Sequence, residues 1–359
     1  MKNMGDHSVL ESKFKAALLG GAIGDALGYT VEFMGITEIY AKFGASGITD
    51  LQPDRRTGMA LISDDTQMTL FTADGLLWAL SEIEEPVDVK KVSFTVNGIY
   101  PAYLRWYSTQ QGTIPTQRHQ KLMEKQLYEE QFSLLDQPEL FARRAPGNTC
   151  ISALASGVMG SMERPLNQSK GCGGVMRVAP IGLLLHKKPD LAFQVAAEAA
   201  AVTHGHASGY LAAGAFAAVV AEIVNEKEIS EGIETALWLL KDYRYHEETS
   251  KAIERAVNFA KSSERPENAI LELGEGWVAE EALSIGLYCA MKRKDFKAAL
   301  MMAVNHSGDS DSTGAIAGTL LGAYGGMGTI PDEWKEVVEL RETIETMGSR
   351  LTEPLSKFK

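Results

Sequence analysis

Three glycines spaced four residues apart, Gly314, Gly318 and Gly322, occur in an apolar segment that begins just after two aspartates. Residues four apart lie on one face of an α-helix, and a face without side chains lets a neighbouring backbone approach closely. Each glycine costs about 1 kcal/mol of helix stability relative to alanine, so tight packing has to offset that loss. The same spacing occurs in membrane-helix dimers, but we count no apolar run of the roughly 18 residues that span a membrane. The segment therefore predicts a buried helix in tight contact with a second element, and no membrane partner.

The rest of the chain has helical patterns as well. Leu10, Phe14 and Leu18 recur at intervals of four, and the segments YLAAGAFAAVVAEIV and WVAEEALSIGLYCAM are apolar at helical spacing. Alternation typical of strands is scarce, no repeat of fixed period is found, and the polar connections are too short to be domain linkers. A chain of 359 residues still fits one large hydrophobic core. The sequence predicts a single all-α domain over residues 1–359, with a core of about 11–349.

The charge and the cysteines of the chain limit the classes of partner and the cellular compartment that we predict for it. The formal net charge is −12, from 35 Lys and Arg against 47 Asp and Glu, and the basic residues do not cluster. Such a surface repels phosphate backbones, so we predict no nucleic-acid partner. Cys150, Cys172 and Cys289 are an odd number without a CxxC pair, and the start MKNMGDHSVL has no apolar signal region. These features predict a reducing, cytoplasmic location.

The two aspartates before the glycine segment have more than one interpretation. Asp309, Asp311, Thr313 and Gly314 match the first half of a calcium-binding EF-hand loop, but Leu320 stands where the bidentate glutamate is required. The EF-hand interpretation therefore fails. Alternatively, Asp309, Asp311 or Ser312 caps the following helix by accepting hydrogen bonds from its free amides.

A second acidic cluster precedes another apolar helix. The segment LISDDTQMTL contains Ser63, Asp64, Asp65 and Thr66, and Asp64 has capping-box spacing with Gln67. Capping does not explain two adjacent aspartates, because burying two like charges is costly unless a positive charge compensates them. Carboxylates with nearby hydroxyls, and no Cys or His cluster, favour Mg²⁺ or Mn²⁺ over zinc. If the two acidic clusters meet in the fold, they could hold two ions about 3.5–4 Å apart.

Six motifs occur in a characteristic order between residues 20 and 326. They are GGAIGDALGYTVEFM, ISDDTQMTL, PGNTC, SKGCGGVMRVAPIG, THGHASGY and NHSGDSDSTGAIAGTLLGA. Any one of them is weak, but the ordered set resembles the ADP-ribosylglycohydrolase family across nearly the whole chain. The resemblance implies a compact, all-α orthogonal helical bundle. It also implies a binuclear centre of two Mg²⁺, with Mn²⁺ as a possible substitute, at the bottom of a cleft that receives ADP-ribose.

The resemblance also assigns roles to particular residues. The implied metal ligands are Ser63, Asp64, Asp65, Asp309, Asp311 and Ser312. The implied catalytic residues are Glu32, Asp65 and Asp311, with Glu32 or Asp65 activating water. The implied substrate-binding residues are Asn148, Gly171, Gly173, Gly174 and His204.

Several of these residues have structural alternatives. Glu32 is otherwise a surface carboxylate, and His204 is otherwise a structural histidine. Asp25 is expected to support a turn or cap a helix, whereas Arg177 suits either a phosphate or an internal carboxylate. Some family members have asparagine where Cys172 stands, which puts a polar contact from that position in doubt.

The function implied by the resemblance is hydrolysis of the bond between ADP-ribose and an acceptor on a modified protein or small molecule. The segment GDALGYTVEFM more closely resembles the arginine-directed bacterial branch of the family, which implies arginine as the acceptor, with serine or a non-protein compound as alternatives. Non-enzymatic alternatives are a structural protein, such as the J crystallins of the family, or an immunity or binding protein that recognises an ADP-ribosyltransferase toxin or an ADP-ribosylated target. The patterns GxGxxG and GxxxxGK[ST] are absent, which argues against dehydrogenases and P-loop kinases.

Overall fold

A computed structural model describes residues 2–81, 83–111, 132–292 and 295–359. Within these residues the chain forms sixteen α-helices and no sheet, with three isolated β-bridges between loops. The all-α prediction is confirmed. The helices are α1 (Lys2–Tyr29), α2 (Ile36–Phe43), α3 (Asp64–Ser81), α4 (Tyr100–Gln111), α5 (Asn148–Ala155), α6 (Ala179–Leu184), α7 (Pro189–Ala201), α8 (Ala207–Val224), α9 (Ile229–Leu240), α10 (Glu247–Lys261), α11 (Pro266–Leu273), α12 (Ala279–Lys292), α13 (Phe296–Val304), α14 (Ser310–Gly325), α15 (Asp332–Val337) and α16 (Arg341–Arg350).

The glycine face of α14 packs against a second glycine face on α1, and this is the most extensive helix pairing described. A Cβ added to Gly24 would overlap the backbone carbonyl of Gly314, and one added to Gly318 would overlap that of Gly20. Side chains at these positions would force the two backbones apart. The predicted close approach of a second backbone is therefore confirmed, and its partner is the first helix of the chain.

Helix α8 departs from the sequence-based expectation about apolar runs. Residues Ala207–Val224 are long and apolar enough to cross a membrane by length and composition alone, so the count of apolar runs above was wrong here. In the structure, 89% of this helix is buried, and it packs between α7, α9 and α12. Its apolar composition is accounted for by its position in the helical core.

The helix packing brings three helix ends together. The amino ends of α3 and α14 meet near the carboxyl end of α1, where Gly28 lies against the carbonyl of Ser310. The free amides at a helix amino end favour negative charge. One acidic cluster lies at the start of α3 and the other at the start of α14. The fold therefore brings the two clusters together.

Candidate active site

The first acidic cluster is anchored by Asp25, which lies on α1 and is fully buried. Its carboxylate accepts hydrogen bonds from the backbone amides of Ser63, at 3.0 Å, and Thr66, at 3.1 Å. It also accepts one from the Thr66 hydroxyl. Asp25 thus caps α3 from a neighbouring helix, as expected for a helix cap. The carboxylates of Asp64 and Asp65 are consequently not needed as caps.

The predicted capping box between Asp64 and Gln67 is wrong. The Gln67 amide oxygen accepts a hydrogen bond from Trp106 Nε1 at 3.1 Å, and its amide nitrogen donates to the carbonyl of Ala142 at 3.0 Å. Asp64 Oδ2 instead accepts a hydrogen bond from the amide of Gly147 at 3.3 Å. The spacing in the sequence suggested a capping box, but both side chains instead form hydrogen bonds with residues that are distant in sequence.

The second acidic cluster begins α14 and is used partly as a cap. Asp309 Oδ1 accepts a hydrogen bond from the amide of Ser312 at 3.2 Å, which is the capping alternative considered above. Asp309 Oδ2 accepts a hydrogen bond from the thiol of Cys172. Asp311 Oδ1 lies 2.9 Å from the same Ser312 amide. Capping therefore accounts for one oxygen of Asp309 and not for its second oxygen, and both aspartates line the cleft.

The two clusters meet in a cleft of about 430 Å³, together with a fifth carboxyl group. Its acidic lining residues are Glu32, Asp64, Asp65, Asp309 and Asp311, each between 2% and 6% exposed. The described residues that line this cleft include no Lys or Arg. No cationic side chain among the described lining residues therefore balances the charge of the five groups.

The pKa values of these groups follow from that arrangement. Burial raises the pKa of Glu32 to about 9, with further increases from the charges of Asp309 and Asp64. Burial likewise raises the pKa values of Asp65 and Asp311 well above their ordinary values, and the neighbouring carboxylates add to the effect. The protein alone thus disfavours full ionisation of the cluster.

A buried ion pair holds the loop that leads into α3. Arg144 pairs with Glu339 through both guanidinium nitrogens, and it also donates to the carbonyl of Ile62 at 3.0 Å. The carbonyl of Arg144 accepts the Asp64 amide at 3.2 Å. These contacts connect the first acidic cluster to Glu339, which lies between α15 and α16.

The glycine motif and His204 form another wall of the cleft. Gly171, Gly173 and His204 line it, as does Asn148 at the start of α5. His204 Nδ1 lies 2.8 Å from the Thr203 hydroxyl, and burial lowers the His204 pKa to about 3, so the imidazole is neutral. Its ring packs directly against Gly173.

Two of the residues assigned by resemblance lie outside the cleft lining. Gly174 packs against Ala200 and the carbonyl of Gly209, beneath the wall rather than in it. Ser63 is fully buried, and its hydroxyl accepts a hydrogen bond from the Asp65 amide at 3.2 Å. Ser312, by contrast, does line the cleft.

Arg177 meets neither of the two partners considered for it. It is fully buried, with Nη2 donating to the Thr203 hydroxyl at 2.7 Å and to the carbonyl of Ala199 at 3.1 Å. Its guanidinium lies 4.2 Å from the centre of the Tyr103 ring. Arg177 therefore supports the segment behind the glycine motif and does not reach a ligand in the cleft.

Sequence reasoning missed an aromatic pair at the mouth of the cleft. The rings of Phe33 and Trp277 stack with centroids 6.0 Å apart and an interplanar angle of 24°. Both rings line the cleft, and Phe33 directly follows Glu32. A difference of 244 positions separates them in sequence, so no local pattern signals their contact.

A sequence model of the ADP-ribosylglycohydrolase family matches residues 6–357. The chain belongs to the ADP-ribosylglycohydrolase family. It is 25% identical to the ADP-ribosyl-[dinitrogen reductase] glycohydrolase of Rhodospirillum rubrum over 90% of each chain. It is 23% identical to an ADP-ribosylarginine hydrolase of Pseudomonas putida, covering 94% of this chain and 77% of that protein. A solved structure, an ADP-ribosylglycohydrolase-related protein complex, aligns with a TM-score of 0.59 and 25% identity, covering 96% of this chain and 98% of the other.

Membership of the ADP-ribosylglycohydrolase family makes the chain a hydrolase, as the names of its relatives state. It also confirms the family resemblance on which the site residues were assigned. The all-α bundle of this glycohydrolase agrees with the similarity to the solved structure.

The residues of this glycohydrolase fit a hard divalent cation by their chemistry. Among the described residues, Asp65 Oδ2 and Glu32 Oε2 are buried and have no hydrogen-bond partner, so each oxygen is available to coordinate a cation. Mg²⁺ and Mn²⁺ prefer oxygen donors, and the described lining residues supply carboxylate oxygens without a Lys or Arg that would compete for them. In the described ranges, however, no three Asp, Glu, His or Cys side chains already form a group that could hold an ion. The donors therefore suit a cation but would have to move together to bind it.

Proposed function

We propose that this protein hydrolyses the glycosidic bond between ADP-ribose and an arginine side chain of a modified protein, in a reaction that depends on two Mg²⁺, or on Mn²⁺ in their place. The observation that carries this proposal is the cleft itself, in which five buried carboxyl groups face one another without a cationic side chain in the described lining. Burying such a cluster is costly unless a cation compensates it. The cleft volume of about 430 Å³ also falls within the usual range for small-ligand sites.

Asp64, Asp65, Asp309 and Asp311 are the residues that would hold the cations, with Ser312 beside them. The last two and Ser312 lie on the amino end of α14, whose free amides favour anionic ligands nearby. Divalent cations, when bound, orient the ribose hydroxyls and polarise the substrate. Ser63 is better placed as a support, since its hydroxyl accepts the Asp65 amide and does not line the cleft.

The glycine wall suits the diphosphate of ADP-ribose. Gly171 and Gly173 have no side chains, so their backbone can approach a phosphate closely. His204 remains neutral beneath them and gives the wall a fixed shape through its contact with Thr203. Asn148 lies at the exposed amino end of α5 and can donate from its amide.

Hydrolysis adds water across the bond between the anomeric carbon of the distal ribose and the acceptor. The water oxygen bonds to the carbon, and the acceptor leaves with a proton. Glu32 is our candidate for the group that takes the proton from water, because it lines the cleft and one of its oxygens has no hydrogen-bond partner among the described residues. A bound cation would offset the neighbouring negative charges that help to raise the Glu32 pKa, and so favour the ionised carboxylate that this role requires. Asp65 is the second candidate for the same reason. Positive character develops on the ribose as the bond breaks, which the carboxylates stabilise.

Arginine as the acceptor is supported by two features. A relative that aligns with 94% of this chain is named an ADP-ribosylarginine hydrolase. The stacked rings of Phe33 and Trp277 at the mouth of an acidic cleft also suit a planar guanidinium group. Serine-linked and non-protein substrates remain the enzymatic alternatives to be compared directly. No observation in the described structure favours a toxin-binding role.

The test is release of free ADP-ribose from matched arginine-linked and serine-linked peptides, each with Mg²⁺, with Mn²⁺ and with a chelator. We expect release from the arginine-linked peptide that requires the metal. Metal-dependent release from the serine-linked peptide alone would overturn the choice of acceptor. Release that continues unchanged in the chelator would overturn the role of the cations.

A further inference from the structure

Two parts of the cleft wall come from segments that are distant in sequence and meet at one backbone bridge. Gly171 of the glycine wall and Val278, which directly precedes α12, form an isolated antiparallel β-bridge. Beside this bridge, the amide of Cys172 donates a hydrogen bond to the carbonyl of Trp277 at 3.2 Å. Gly171, Cys172 and Trp277 all line the cleft. The bridge therefore holds the glycine wall next to the segment that carries the Trp277 ring.

Lys170 binds the same bridge from outside the cleft. Its carbonyl accepts a hydrogen bond from the amide of Ala279 at 2.8 Å, on the other side of the bridge. Its ammonium group pairs with Glu280 in the first turn of α12, and with Glu248 Oε1 in the first turn of α10 at 2.7 Å. Lys170 does not itself line the cleft. Both its backbone and its side chain therefore connect the glycine wall to the start of α12, just after Trp277.

The ammonium group of Lys170 also brings three helices together. Glu280 is 4% exposed, so its carboxylate is a buried charge that Lys170 compensates. Glu248 accepts a second hydrogen bond, from the hydroxyl of Ser208 on α8. Removing one partner of a buried ion pair is strongly destabilising, because it leaves the other charge without compensation. Without Lys170, the amino ends of α10 and α12 would carry two neighbouring acids and no cation between them.

We propose that Lys170 is a positioning residue for substrate binding, whose ion pairs with Glu280 and Glu248 hold the glycine wall and Trp277 in the arrangement that receives ADP-ribose. The inference rests on the proposed function, since ADP-ribose is the ligand whose binding is measured. Lys170 acts through the two wall segments and takes no part in the hydrolysis itself. Its loss displaces both segments, which weakens binding of the substrate and of the transition state alike. A change of this kind raises KM and leaves kcat nearly constant.

Three variants separate positioning from a general effect of losing a lysine. Lys170→Met removes the ammonium group, and we expect KM and the Kd for ADP-ribose to rise about tenfold, with kcat within about twofold of wild type. Lys170→Arg keeps the charge and offers several donors to the two glutamates, so it should restore both constants to within about threefold of wild type. Lys227→Met is the matched control, because Lys227 pairs with Glu231 at 3.8 Å and both side chains are 51% exposed. It should match wild type.

The experiment combines kinetics with direct binding. The rate of ADP-ribose release is measured over a range of arginine-linked peptide concentrations, and binding of free ADP-ribose by isothermal titration calorimetry, both at saturating Mg²⁺. Circular dichroism shows whether each variant is folded at the assay temperature. If Lys170→Met does not fold, Glu248→Gln takes its place, because the Glu248 side chain is 48% exposed and its loss leaves the buried pair with Glu280 intact. Glu248→Gln should raise KM and Kd in the same direction, by about threefold.

Three results would overturn the inference. Equal KM and Kd values for folded Lys170→Met and Lys227→Met would show that Lys170 does not position the walls, and would leave the proposed function intact. A fall in kcat at constant KM that Lys170→Arg does not restore would also exclude a positioning role in binding, again without touching the proposed function. A wild type that neither binds ADP-ribose nor releases it from any peptide would remove the proposed function, and the inference would fail with it.

Discussion

The carboxylate of Asp25 on α1 accepts the backbone amide of Ser63 at 3.0 Å, just before the first turn of α3. A residue 38 positions away thus caps the helix that carries Asp64 and Asp65. The Asp25 carboxylate is fully buried and also accepts a hydrogen bond from the Thr66 amide. This relationship frees the adjacent aspartates for the cleft, and it makes the position of the first acidic cluster depend on the packing of α1.

Asp25→Ala should therefore destabilise the protein. It leaves the amides of Ser63 and Thr66 buried without a partner, at a cost of about 1–3 kcal/mol in the free energy of unfolding. Urea denaturation monitored by circular dichroism measures this cost. The exposed Asp242→Ala serves as the control and should remain within about 0.5 kcal/mol of wild type. An Asp25→Ala protein as stable as that control would show that the cap contributes little.

Gly24→Ala should also destabilise the protein, although alanine is the better helix former by about 1 kcal/mol. The added Cβ would overlap the carbonyl of Gly314, so α1 and α14 must separate, at about 1–3 kcal/mol net. Thermal unfolding compares it with Gly328→Ala, where a Cβ meets nothing within 4 Å. A gain in stability for Gly24→Ala would contradict the tight pairing of these helices.

Removing one carboxylate from the cleft should have opposite effects with and without a cation. Asp311→Asn relieves repulsion among buried acids, so the metal-free variant should be more stable than the metal-free wild type. Wild type should gain about 2.7 kcal/mol when the cation reaches 100 times its Kd, and the variant should lose most of that gain. Thermal shifts in Mg²⁺ and in a chelator measure both effects, with NaCl used to match ionic strength. Equal shifts in the two proteins would argue against Asp311 as a ligand.

His186, remote from the cleft, should make stability depend on pH. Burial lowers the pKa of His186 to about 4, with smaller contributions from Lys187 and Lys13, and its Nδ1 lies 2.8 Å from the carbonyl of Leu183. In the unfolded chain this imidazole has a pKa of about 6.5. Between pH 4 and pH 6.5 it is therefore mostly protonated in the unfolded chain and mostly neutral in the folded protein. The contribution of His186 to the free energy of unfolding is therefore fully present above pH 6.5. It decreases by about 3 kcal/mol as the pH drops toward 4.

The measurement is the free energy of unfolding between pH 4 and pH 7 for wild type and for His186→Asn. The variant should be less stable at pH 7, because it loses packing against Phe14, but its stability should fall less steeply with acid. Parallel slopes for the two proteins would show that His186 is not the source of the dependence.

Much of the architecture could be predicted from local patterns. The four-residue spacing of Gly314, Gly318 and Gly322 predicted both a buried helix and a close partner, because that spacing fixes one helix face. The two acidic clusters marked the starts of α3 and α14 for a similar reason, since carboxylates favour helix amino ends. Helix α8 was misjudged because its apolar length was undercounted.

The remaining features depend on contacts between distant segments. Asp25 caps a helix that follows it by 38 positions, so the local Asp64 and Gln67 spacing pointed to the wrong cap. Arg177 contacts the ring of Tyr103, the hydroxyl of Thr203 and the carbonyl of Ala199. All three residues are distant from Arg177 in sequence. The Phe33 and Trp277 stack likewise forms only when the loops after α1 and before α12 meet. Such partners are set by tertiary packing and have no local signature.

We propose that the two acidic clusters together support metal-dependent release of ADP-ribose. The most direct measurement is the release rate from an arginine-linked peptide at saturating Mg²⁺ for wild type, Asp311→Asn and the exposed control Asp242→Asn. Loss of charge at a metal ligand should lower the rate of Asp311→Asn by about 100-fold or more, with Asp242→Asn unchanged. A folded Asp311→Asn protein that releases ADP-ribose as fast as wild type would contradict the account.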